Sequence, residues 1–178
     1  VFAIVKEESQ AVFELDEILR GSPNHVIGTT GEVAGEVLID AGDLAGSEIG
    51  AILINARTFT TGNNFRDRAI RGPVILNSAD DAFELITFQP TAIEGLSGAL
   101  VGGQELAFRV IGDLTIKGTT RLTTFDVTVA LVGDDRLEGH AQTQILRVDF
   151  GIGIPNAPGV ADVTEEVLIS LEFVAVKA

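Results

Sequence analysis

Along residues 105 to 132, ELAFRVIGDLTIKGTTRLTTFDVTVALV, apolar side chains return at every second position on both sides of a Lys-Gly break. A period of two places Leu106, Phe108, Val110, Leu114 and Ile116 on one face of a first strand, with Gly112 among them. Phe125, Val127, Val129 and Leu131 share a face of the second. Lys117-Gly118 supplies the turn, because Gly takes the positive φ that a tight hairpin needs. A hairpin this long with one hydrocarbon face must curl around something apolar, so the functional question becomes what fills the interior.

The same alternation recurs at Ser9 to Asp16, Val33 to Asp40, Gly50 to Ala56, Leu85 to Ile93, Leu137 to Asp149 and Glu166 to Val174. Between these runs lie turn-rich segments such as Arg20-Gly21-Ser22-Pro23-Asn24, Gly133-Asp134-Asp135 and Pro155-Asn156-Ala157-Pro158-Gly159. One helix is predicted within Gly62 to Gly72, with Thr61 or Asn63 as its N-cap, Phe65 and Ile70 facing inward and Gly72-Pro73 as its stop. Glycines inside the strand patterns, among them Gly28, Gly112 and Gly139, suit a strongly coiled sheet. The pattern therefore predicts one all-β domain over residues 1–178, an antiparallel barrel of about eight strands with one short helix. Its predicted inward positions include Leu15, Val37, Ile39, Ile52, Ile169 and Leu171. A core filled by its own side chains and an open ligand cavity both satisfy that pattern.

Composition narrows the chemistry. Twelve Lys plus Arg against 26 Asp plus Glu give a formal charge of −14, which repels phosphate backbones and argues against a nucleic-acid partner. The absence of Cys rules out disulfides, thiolate zinc sites and thiol nucleophiles. Met, Trp and Tyr are absent too, leaving ten Phe as the aromatic content. His25, in a turn-rich segment, and His140, in a strand, lack spaced partners for a metal. Asp80-Asp81, Asp134-Asp135 and Glu165-Glu166 read as solvated loop charge, and no nucleophile elbow or phosphate loop occurs. No catalytic residue, metal or cofactor is expected, so the chain is read as a non-enzyme.

Several short motifs, in order, resemble the YceI family of polyisoprenoid-binding proteins. They are Thr61-Gly62-Asn63 with Arg66-Asp67 and Ile70-Arg71, then Ile86-Thr87-Phe88, then Gly112-Asp113-Leu114-Thr115-Ile116-Lys117-Gly118-Thr119, and last Arg147-Val148-Asp149-Phe150-Gly151-Ile152. The resemblance implies a lipocalin-like barrel holding an isoprenoid lipid, such as a polyisoprenoid or a quinone precursor, in an elongated apolar cavity. On that reading Phe13, Ile54, Phe65, Ile70, Phe88, Phe108, Val110, Phe125 and Phe173 are the candidate ligand contacts. Arg66 and Arg147 are the candidate headgroup contacts, with a local Arg66–Asp67 pair that fixes the helix as the favoured role of Arg66. Family members are commonly exported, so an extracytoplasmic location is expected, whether periplasmic, secreted or envelope-anchored. A homodimer would use outward residues such as Leu53, Leu168 and Val174. The chain departs from the family at Asp81-Ala82-Phe83-Glu84-Leu85, where Tyr-Pro is frequent, and at Asn63-Asn64, where relatives can carry histidine. The alternative is a structural or interaction module of the cell envelope with a side-chain-filled barrel and no lipid.

Overall fold

In the computed structural model, which describes residues 1–178, thirteen strand segments follow one another through a single antiparallel sheet. They lie on eight strand lines. The first is β1 (Phe2–Ile4) and β2 (Gln10–Leu19), separated by a 3-10 turn at Lys6–Glu8. The second is β3 (Ser22–Thr30), β4 (Val33–Ala34) and β5 (Glu36–Leu38), and the third is β6 (Glu48–Ile49) and β7 (Ile52–Asn55). A crossover then carries α1 (Asn64–Arg71) to a meander of β8 (Leu85–Glu94), β9 (Glu105–Ile116), β10 (Thr119–Val132) and β11 (Arg136–Leu146). β12 (Val160–Ala161) is a short strap on β2, and β13 (Glu166–Lys177) is the eighth line.

The ring closes through long-range pairs. β13 lies between β11 on one side and β2 and β1 on the other. β2 pairs with β3, and β4, which continues β3, pairs with β7 through Val33–Ile54 and Ala34–Leu53. Closure runs through β4 and β7, while the far edge of β3 from Ser22 to Gly28 has no strand beside it. The segment count exceeds the expected eight because breaks interrupt single lines, as at Gly35 inside the expected Val33 to Asp40 run.

The 105–132 hairpin forms in the expected register, with Ile116 opposite Thr119 and both Lys117 and Gly118 at positive φ. Other boundaries differ from expectation. Ser22-Pro23-Asn24 and His25 belong to β3 rather than to a turn, which needs only Arg20-Gly21, both at positive φ. Pro23 is tolerated there because Leu19–Ser22 closes the hairpin. The next pair is then a non-hydrogen-bonded one, with the proline nitrogen facing an edge that has no strand beside it. The expected strand from Leu137 to Asp149 stops at Leu146, and Arg147–Phe150 wind into a 3-10 turn ended by Gly151 at φ 67°.

Two phenylalanines lie flat across the neighbouring strand because their cross-strand partners are glycines. A Cβ on Gly28 would stand 2.1 Å from the Phe13 ring, and one on Gly139 would stand 2.4 Å from the Phe173 ring. Edge-to-face pairs extend this aromatic packing, Phe13 with Phe59 at 5.3 Å and Phe88 with Phe125 at 4.8 Å between centroids. The fully buried core gathers at the two ends of the ring. Phe59, Ile70, Leu114, Ile116 and Phe150 belong to the cluster that α1 joins, and Phe2, Leu137 and Ala175 to a smaller one.

Candidate ligand cavity

Between these two clusters the barrel is open inside. A cavity of about 800 Å³ is bordered by 54 residues, 45 of them hydrophobic. Its size falls in the ~300–1,000 Å³ span of small-molecule sites. The void leaves a signature on the inward rings. Phe13, Phe88, Phe108, Phe125 and Phe173 point to the centre yet are only half-buried, whereas a filled core would bury such rings fully.

Each candidate contact borders this cavity: Phe13, Ile54, Phe65, Ile70, Phe88, Phe108, Val110, Phe125, Phe173, Arg66 and Arg147. Two of them differ in setting from the sequence expectation. Phe65 and Ile70 do not face inward together: Ile70 is buried, but Phe65 is 86% exposed and reaches only the cavity margin. Five residues on a helix turn through about 140° beyond one full revolution, so the two side chains cannot share a face. Arg66, one turn before Ile70, takes the inward side instead. It pairs not with its neighbour Asp67 but with Glu17 on β2, at 3.1 Å.

Glu17 lies on the cavity border and is not among the sequence candidates. It is 7% exposed and accepts hydrogen bonds at Oε1 from Arg66 and from the Asn24 amide at 3.0 Å. The signal was present, since Glu17 continues the Phe13, Leu15 parity as the one carboxylate on a hydrocarbon face.

Local chemistry fixes α1 at this end. The Asn63 side chain is the N-cap, accepting from the Phe65 and Arg66 amides at 3.1 Å each. Asp67, 4% exposed, accepts from the Thr60 hydroxyl at 2.9 Å, the Thr61 amide at 2.8 Å and the Thr61 hydroxyl at 2.6 Å. Burial pushes its carboxyl up, but the bonds from Thr61 and Thr60 and the charge of Arg71 outweigh that and hold it below the ordinary value of 3.8.

Arg147 anchors the loop beyond β11. Its guanidinium donates to the carbonyls of Thr164 at 3.0 Å, Ile152 at 3.1 Å and Val163 at 3.4 Å, all backbone partners. That grip holds Ile152, Ile154, Pro155 and Val163 along the cavity border.

Several charged residues elsewhere are paired with neighbours in the fold. His25 bonds Asp16 at 2.7 Å and Glu14 at 2.9 Å across β2 and β3, and both carboxylates raise its pKa. His140 bonds Glu172 and Gln142. Asp80 caps the 3-10 turn Asp81–Phe83, and Asp81 pairs with Arg57. Of the outward residues named for a dimer, Leu53 and Leu168 are exposed, but Val174 is buried: its carbonyl accepts from the Val5 amide and its amide donates to the Ser9 hydroxyl.

The sequence matches the family described as the YceI-like domain over residues 2–175. UPF0312 proteins of Yersinia pestis (strain Pestoides F) and Yersinia pseudotuberculosis serotype O:1b (strain IP 31758) are each 29% identical over 131 residues, which is 71% of this chain. The matched part spans 62% of the length of those relatives. Burkholderia cenocepacia BcnA superposes with a TM-score of 0.74 at 22% identity, covering 96% of this chain and 98% of BcnA. A polyisoprenoid binding domain from Saccharophagus degradans, implicated in plant cell wall breakdown, has a TM-score of 0.74 at 11% identity, covering 99% of this chain and 98% of its own. The Campylobacter jejuni YCEI protein has a TM-score of 0.67 at 15% identity, covering 87% of this chain and 86% of its own. Those structures share the fold, and the match from Phe2 to Ala175 takes in every strand line of the barrel and α1: this chain belongs to the YceI-like domain family.

Proposed function

We propose that the chain is a non-enzymatic binding or carrier protein for an isoprenoid-type lipid, a polyisoprenoid or a quinone precursor, held with its tail in the barrel cavity. One observation carries this reading: the interior is an unfilled cavity of about 800 Å³ with an almost wholly hydrocarbon border. An isoprenoid tail gains from burial alone, roughly 0.8 kcal/mol per CH₂ removed from water, and needs no precise polar partners. The S. degradans relative named as a polyisoprenoid binding domain supports the same ligand class. The volume of the void speaks against an envelope module with a side-chain-filled barrel. Phe13, Phe88, Phe108, Phe125 and Phe173 contact the tail on this reading, while Arg66 and Arg147 stand near the polar head.

A titration of the delipidated protein with a polyprenol and with a lipid quinone tests the proposal. Both bind wild type, and Phe108→Asp, which sets a charge against the tail, loses at least about tenfold in affinity. A folded Phe108→Asp variant, judged by circular dichroism, with undiminished binding contradicts the assignment of this face to the ligand.

A further inference from the structure

The two ends of the barrel are built differently. At the α1 end the cavity meets solvent, since Phe65 borders it and is 86% exposed. The opposite end is covered. Residues 39–47, between β5 and β6, wind through a 3-10 turn at Leu44–Gly46, and residues 95–104, between β8 and β9, lie against them. Two backbone hydrogen bonds join these loops, from the Leu44 amide to the Gly98 carbonyl at 2.8 Å and from the Leu100 amide to the Ala41 carbonyl at 3.0 Å. A third, from the Gly103 amide to the Leu131 carbonyl at 3.1 Å, ties the second loop to the end of β10. Leu131 in turn packs on the small core cluster of Phe2, Leu137 and Ala175.

Leu44 is the best-packed residue of this lid, 2% exposed and on the cavity border. The turn that presents it is fixed by two carboxylates. Asp40 accepts at Oδ1 from the Gly42 and Asp43 amides at 3.0 Å and 3.1 Å, and Asp43 caps the turn by accepting from the Ala45 amide at 3.2 Å. Such side-chain bonds hold a turn in one backbone geometry, so Leu44 does not give way to a tail that presses on it. Around it Ile39, Ile49, Leu96 and Leu100 also border the cavity. Ser47 is the polar exception, and its hydroxyl oxygen already accepts from the Asp40 amide at 3.1 Å. A hydrocarbon terminus can rest against this wall, whereas a charged or strongly hydrated group would lose its water there without gaining a partner.

We infer that this lid is a length stop: it sets the longest isoprenoid tail that the barrel encloses, with Leu44 as the residue that closes the end. The inference rests on the lipid-carrier reading of the cavity. A chain carbon fills a volume of about 30 Å³, similar to one water in the liquid, so the cavity of about 800 Å³ holds on the order of 25 carbons, roughly five prenyl units. Up to that length, a tail that leaves a bilayer exchanges one hydrocarbon surrounding for another. Beyond it, each further CH₂ stays outside the mouth in water, which weakens binding about fourfold per group.

The test offers the delipidated full chain phosphatidylcholine vesicles that contain an equimolar mixture of polyprenols of graded length, from well below to well above the expected stop. The protein is separated from the vesicles, and its bound alcohols are quantified by mass spectrometry. In wild type the bound profile is flat up to about five prenyl units and falls at least about tenfold over the next few. Leu44→Ala opens space at the lid and moves the break to longer tails, and Leu100→Phe fills space and moves it to shorter ones. Circular dichroism establishes that each variant is folded. A profile that copies the vesicle mixture at every length overturns the length stop and leaves the carrier reading in place, as does a break that neither folded variant moves. Extraction of no alcohol at all by wild type overturns both readings. If Leu44→Ala does not fold, Leu100→Phe carries the test alone, and an unmoved break overturns the inference.

Discussion

Two buried carboxylates hold α1 from different sides: Glu17 reaches Arg66 from β2, and Asp67 reaches back to Thr60 and Thr61. Asp67 is the stronger anchor by count, with three donors on its two oxygens. Asp67→Ala strands those donors and is expected to cost about 1–3 kcal/mol, read as a lowered denaturation midpoint. The folded carboxyl titrates below 3.8, so its contribution is fully present above that value and is lost as pH falls through the lower native pKa. The stability difference between wild type and Asp67→Ala is therefore constant near neutrality and shrinks below about pH 4. A difference that stays constant down to pH 2 contradicts the account. The Arg66-Asp67 motif is visible in the sequence, but its partners are not. The Thr60 and Thr61 bonds arise from a chain reversal ahead of the helix, and Glu17 arrives through strand closure far along the chain.

The strands owe their curvature to pairings between ring and glycine that neither residue reveals alone. Gly28→Ala would drive a methyl into the Phe13 ring and swing that ring toward the cavity, at an expected cost of about 1–3 kcal/mol. Phe13→Ala removes the obstacle. The two substitutions together are expected to be markedly less destabilising than the sum of the singles, in a double-mutant cycle measured by urea unfolding. Additive effects would show that the ring does not depend on the bare glycine. That glycines sit within strands is plain from the sequence, and so is the period-two face of the hairpin, because both are local. Which ring covers which glycine depends on register, and register is set across the sheet. The helix carried its own limit: its cap and stop are local signals, whereas the inward side became clear only once Ile70 was seen in the core and Phe65 outside it.

At the scale of the molecule, eight antiparallel lines close around a hydrocarbon interior that side chains leave open. The alternation made the inward faces legible, since parity along a strand is a property of a few residues. Closure was less so, because the β4–β7 and β2–β13 pairs join distant segments. Open against filled was not legible at all. It depends on how far the ring radius exceeds the reach of its inward side chains, a balance that identical patterns satisfy either way. On the proposed function this space holds a lipid. The most direct test is to purify the protein from its native host, extract it with organic solvent and compare the extract by mass spectrometry with a mock purification. The expected extract contains a long-chain isoprenoid at about one per chain. A clean extract that stays clean after incubation with quinones and polyprenols would contradict it.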